Sequence, residues 1–187
     1  MKRKNRVQLM TISALLCAIG ISIPMFSPIK IILEPASFTL ASHVPIFIAM
    51  FISPYTAVSV ALITGFGFLF AGFPIVIVLR ALSHLVFAAA GAYMLKNKSK
   101  LLSTGKGTVF FGLLMSLIHA VFEVLVVTFF YWGGSIDSSK GYLISVIGLV
   151  GLGTIIHSMV DYSLALLVWN PLQRLVSVPV SVRRTVK

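Results

Sequence analysis

The sequence is poor in acid. Four Asp and Glu residues stand against fifteen Lys and Arg in 187 residues, which leaves no room for the carboxylate-rich motifs of multi-metal hydrolases. Cysteine is almost missing as well: Cys17 is alone, so no intramolecular disulfide can form. Between Leu16 and Ala18 it has no neighbouring base or cation to activate it as a nucleophile. Charged residues of both signs make up only 10% of the chain, and no long polar segment interrupts the apolar runs. That excludes a soluble catalytic domain, an ATP-binding module or a receptor head, and the expectation is one integral membrane domain over residues 1–187.

What is present is apolar. The chain is 58% hydrophobic with a mean hydropathy of +1.05, far outside the composition of soluble domains. The runs between punctuating residues predict an all-α membrane protein with six transmembrane helices, at roughly 8–25, 39–52, 55–71, 74–94, 109–131 and 143–169. Only Ser53 and Pro54 separate the second from the third, and the second is short for a straight crossing, so it is tilted or partly extended at its start. The first follows Lys2, Arg3, Lys4 and Arg6 with no small-residue cleavage site before Pro24, which reads as a retained signal-anchor helix.

The net charge of +11 is a topology signal. With both termini cytoplasmic, the inside segments hold Lys2, Arg3, Lys4 and Arg6, then Lys96, Lys98, Lys100 and Lys106, then Arg174, Arg183, Arg184 and Lys187. The outside segments hold only Lys30 and Lys140, as the positive-inside rule requires. These charges meet anionic lipid; no aromatic-interleaved basic surface points to nucleic acid. Small residues at four-residue spacing, Ala14 with Ala18 and Ala57 with Ala61 and Gly65, mark close helix approach, either inside the bundle or against a partner.

Ionisable groups within the apolar runs carry the functional signal. Arg80 with His84, His119 with Glu123, and His157 with Asp161 are each four apart and so share one helix face. An ionisable group costs about 2.5–3.5 kcal/mol at a membrane helix centre, so three such pairs imply a polar pocket for a small solute. At about 1.5 Å per residue, Arg80, His84, His119 and Glu123 share one level in the outer half, with His157 and Asp161 deeper. Arg80 offers a fixed planar fork that suits a carboxylate, either that of Glu123 or Asp161 or that of a ligand. The histidines serve interhelical hydrogen bonds or the ligand. Trp132 is aromatic belt or pocket lid. The stretch from Phe26 to Ser42 is too polar for lipid and too apolar for an idle loop, as in a partly buried loop that covers a cavity.

The chain resembles the substrate-binding S components of energy-coupling factor (ECF) vitamin transporters. The resemblance rests on size, six helices, a long first outer loop and the Ala14-Leu15-Leu16-Cys17-Ala18 motif. The stretch Ser37-Phe38-Thr39-Leu40-Ala41-Ser42-His43-Val44-Pro45 and the later Arg80-Ala81-Leu82-Ser83-His84 look like members assigned to niacin uptake. The resemblance implies a multi-pass protein of the bacterial cell membrane, not an enzyme, that captures a small vitamin from outside. Delivery then needs a transmembrane T component, docked at Ala14 and Ala18, and two ATPases. It maps the substrate site onto Arg80, His84, His119, Glu123 and Trp132, with Ser37, Phe38 and His43 from the first loop. No cofactor or metal is expected. Niacin and then pantothenate are the ligands of choice, because each offers a carboxylate to Arg80 where a neutral pyrimidine does not. The rival readings are a scaffold of the cell envelope, which has no cause to bury these pairs, and an intramembrane metal-dependent hydrolase using the HxxxE and HxxxD pairs.

Overall fold

The structure is a computed structural model that describes residues 3–137, 139–175 and 179–183. Lys2, Arg184 and Lys187, counted above for orientation, lie outside the described residues, and so do the side chains of Arg3 and Lys4. The chain runs as α1 (Arg3–Phe26), β1 (Lys30–Leu33), β2 (Ala36–Thr39), α2 (Val44–Ile52), α3 (Pro54–Phe70), α4 (Ile75–Asn97), a 3₁₀ turn (Leu101–Ser103), α5 (Gly105–Trp132), a π-helical segment (Leu143–Leu152) and α6 (Gly153–Leu175).

The architecture is helical and apolar, and among the described residues four helical stretches are long and apolar enough to cross a membrane: Asn5–Phe26, Ile75–Asn97, Gly105–Trp132 and Leu143–Leu175. Of the other two helices, α3 (Pro54–Phe70) lies where the sequence places it and α2 differs. The run expected at 39–52 is helical only for the nine residues of α2, about 14 Å of rise against a hydrocarbon core of about 30 Å. Residues ahead of it form β2, which pairs antiparallel with β1 from Lys30↔Thr39 to Leu33↔Ala36. All nine residues of α2 are buried, so this short helix is the centre of the bundle and has no lipid face. Pro54 ends it as expected: Ser53 caps α3, its Oγ accepting from the Thr56 N–H at 3.1 Å, with Pro54 in the first turn. At the far end of α2, Ser181 and Val182 donate their backbone N–H groups to Ile52 and Phe51 carbonyls. The tail thus satisfies carbonyls that a helix end leaves free.

The two small-residue ladders part company in the fold. Ala57, Ala61 and Gly65 are buried in α3, and a Cβ at Gly65 would sit 2.5 Å from Leu82 Cδ2 on α4, so that ladder lets α3 and α4 touch. Ala14 and Ala18 face outward from α1. Leu143–Leu152 continues into α6 as one helix of 33 residues. Such a long π-helical stretch is unusual, and its buried residues, Ser145, Val146, Val150 and Gly151, face α5 and β2.

Candidate functional site

A cavity of about 190 Å³ opens where the β-hairpin covers the bundle. It is small beside the ~300–1,000 Å³ of drug-sized sites, a size for one ring and a few substituents. Its walls are Phe38 and Ile32 from the hairpin, Ile46 from α2, Phe68 and Phe73 around the α3–α4 turn, and Ile77 from α4. Its polar groups converge from six elements: Lys30, Ser37 and Thr39 from the hairpin, Ser42 and His43 ahead of α2, Thr64 on α3, Arg80 and His84 on α4, His119 and Glu123 on α5, and Thr154 and His157 on α6.

Glu123 is the hub of the cavity. Arg80 Nη2 donates to Glu123 Oε2 at 2.9 Å, and Thr154 Oγ1 donates to the same oxygen at 2.8 Å. His84 Nε2 lies 3.2 Å and His119 Nε2 3.4 Å from Oε1. Of the two partners open to Arg80 from sequence, the fold therefore selects Glu123. The guanidinium is not used up by it. Nη1 reaches the Pro35 carbonyl only at 3.4 Å and the buried Nε makes no hydrogen bond among the described residues, so the guanidinium retains N–H donors for another acceptor.

Asp161 works differently. Its Oδ1 accepts the Ala41 N–H at 2.7 Å and its Oδ2 the His43 N–H at 2.9 Å. The same Oδ2 faces His43 Nδ1 at 3.0 Å and takes a long bond from Ser42 Oγ at 3.4 Å. A carboxylate on α6 thus caps the positive N-terminal end of α2. It also holds the turn between β2 and α2, in which Ala41 adopts φ 68°, a left-handed conformation strained for a residue with a side chain. Asp161 is fully buried behind the cavity wall, while His157, one turn earlier, lines the cavity and reaches Ser42 Oγ at 3.2 Å.

The fold brings together Arg80, His84, His119, Glu123, Ser37, Phe38 and His43. Trp132 is placed elsewhere: it is 73% exposed and stacks on Tyr142 with ring centroids 5.7 Å apart. Thr64 on α3 and Thr154 on α6 are lining residues that the charged pairs do not announce, and of the two Thr154 carries a signal. Its signal is spacing, because it stands three residues before His157 and seven before Asp161, on the same face of α6. Phe38 owes its seat to Gly153, where a Cβ would meet the Phe38 ring at 2.6 Å.

No family model matches the chain, and no solved structure matches it. A curated relative does. The niacin transporter NiaX of Lactococcus lactis subsp. cremoris (strain MG1363) is 41% identical over 172 residues, 92% of this chain and 78% of the relative. The chain belongs to the NiaX family. The S-component resemblance of the sequence is thereby family membership, and NiaX is a transporter, not an enzyme. With four apolar helical stretches of spanning length, membership in the NiaX family makes this a multi-pass bacterial membrane protein that handles a small molecule.

Proposed function

We propose that the chain is the substrate-capture subunit of an ECF-type importer and that its ligand is niacin, with pantothenate second. The observation that carries this reading is the incomplete pairing of Arg80. Arg80 and Lys30 bring two positive charges to the cavity and Glu123 one negative charge, so a monoanion completes the balance. The remaining N–H donors of the guanidinium suit a carboxylate, and Phe38 and Phe73 offer aromatic faces to a ring. Ser37, His43, His84 and His119 supply the adjustable hydrogen bonds, with Glu123 orienting His84 and His119 and Asp161 orienting His43. The relative's activity, niacin transport, agrees with this chemistry.

The finer topology and assembly belong to the same proposal. Residues 1–187 form one membrane domain with six crossings and both termini cytoplasmic. The α2 crossing is completed by the hairpin, whose non-helical backbone covers a cavity and does not face lipid. Basic residues favour this orientation, with Lys96, Lys98, Lys100 and Lys106 gathered around the α4–α5 connection. The outward-facing Ala14 and Ala18 form the docking face for a T component that works with two ATPases.

Binding of radiolabelled niacin, pantothenate and hydroxymethylpyrimidine to the purified protein in detergent tests the ligand class. Saturable binding of a carboxylated vitamin, lost in Arg80→Ala, supports the reading; binding of the neutral pyrimidine alone overturns it. For the docking face, Ala14→Phe should keep vitamin binding and lose co-purification with the T component.

A further inference from the structure

Three imidazoles meet at the floor of the cavity from three different elements. His43 precedes α2, His84 lies on α4 and His119 on α5. Their ring centroids are 4.7 Å (43–84), 4.6 Å (43–119) and 4.7 Å (84–119) apart, and the rings stand at 62–87° to one another. One candidate ligand nitrogen from each lies within 4.8 Å of the others. A tetrahedral zinc with Zn–N bonds near 2.0–2.1 Å needs its nitrogens about 3.3 Å apart, so side-chain rotation of about 1–1.5 Å closes the set.

Each ring has a carboxylate at one of its two nitrogens. His43 Nδ1 faces Asp161 at 3.0 Å, while His84 Nε2 and His119 Nε2 face Glu123 at 3.2 Å and 3.4 Å. Metal-binding histidines typically show this arrangement, in which a carboxylate takes one ring N–H and turns the other nitrogen's lone pair toward the ion. The second observation is His119 itself. It is 1% exposed, and neither Nδ1 nor Nε2 makes a hydrogen bond of good geometry. A buried ring nitrogen without a good partner costs about 1–3 kcal/mol, and a bound cation removes that cost at one nitrogen while the other keeps its long contact to Glu123.

We propose that His43, His84 and His119 form a binding site for one divalent transition metal ion of the zinc class. Three neutral imidazoles suit Zn, Ni or Co, and three protein ligands leave a fourth position open to the cavity, as in sites where a small molecule completes the coordination. A competing set, His43, His157 and Asp161, also gathers within 4.8 Å. It is the poorer site, because Asp161 already accepts two backbone N–H groups that hold the start of α2.

The test titrates Co²⁺ into chelator-treated, untagged full-length protein in detergent, without vitamin, and reads visible absorption and heat. The expected result is one ion per chain with the intense absorption of tetrahedral Co²⁺, displaced by Zn²⁺. His119→Ala and His84→Asn should each weaken binding by at least about 100-fold, and His157→Ala should retain the ion. Two results overturn the site: no uptake by wild-type protein that remains monodisperse and helical, or an ion lost in His157→Ala and kept in His119→Ala. Should His119→Ala fail to fold, His84→Asn and the wild-type titration decide. The vitamin reading does not enter this titration, so either can fail without the other.

Discussion

His119 with Glu123 and His157 with Asp161 are the same local pattern on adjacent helices, yet the two carboxylates hold different kinds of partner. Glu123 binds side chains: a guanidinium, a hydroxyl and two imidazoles, all lining the cavity. Asp161 accepts its two shortest bonds from backbone, the N–H groups of Ala41 and His43, from behind the wall, and the His43, His157 and Ser42 side chains gather on the oxygen already anchored there. Side-chain partners can swing to a ligand and return, whereas backbone partners fix a turn. Spacing on a helix therefore says where a carboxylate points, and the element opposite decides whether it serves binding or architecture.

The sharpest way to break this contrast is to remove each carboxylate in turn. Asp161→Ala leaves the start of α2 uncapped and should cost about 3–5 kcal/mol, seen as a thermal midpoint lowered by about 10 °C, with vitamin binding lost as a consequence of misfolding. Glu123→Gln should lower the midpoint less than Asp161→Ala does, since the amide still accepts from Thr154 and Arg80 although Arg80 loses its buried counter-charge. Its main effect belongs in affinity, measured by equilibrium binding.

Arg80→Ala comes next. It removes the ligand's counter-charge and leaves Glu123 buried with less support, and niacin affinity should fall by about 100–1,000-fold. Arg80→Lys keeps the charge without the fork and should recover part of that loss. Gly153→Ala acts indirectly, since the added methyl would occupy the place of the Phe38 ring. The hairpin should loosen and affinity fall by about 10-fold, and a paired Phe38→Leu should restore some of it. Trp132→Ala is the smallest, with affinity changed less than about 2-fold, because the ring stacks on Tyr142 away from the cavity.

Much of this was legible in the residues. Apolar runs revealed the long helices, and four-residue spacing put Arg80, His84, His119 and Glu123 on inward faces. The composition of the Phe26–Ser42 segment pointed to a covering loop, and the structure makes it the hairpin over the cavity. Less was visible where the outcome depends on long-range contact. That 39–43 is not helical follows from Asp161, 120 residues beyond Ala41, seizing the turn ahead of α2. The Ala57-Ala61-Gly65 and Ala14-Ala18 ladders look alike in sequence, and only the packing of Leu82 onto Gly65 separates an internal contact from an open face. Spacing and depth bring His84 and His119 to one level, but nothing in the spacing brings His43 to them, since it comes from the turn ahead of α2.

The central claim is that a carboxylated ring completes the pairing of Arg80. Isothermal titration of niacin against its neutral amide tests it most directly, with wild type and Arg80→Ala side by side. The account predicts that wild type binds niacin at least about 100-fold more tightly than the amide and that the gap collapses in Arg80→Ala. Equal affinity for acid and amide in wild type, or a gap that survives without Arg80, would contradict it.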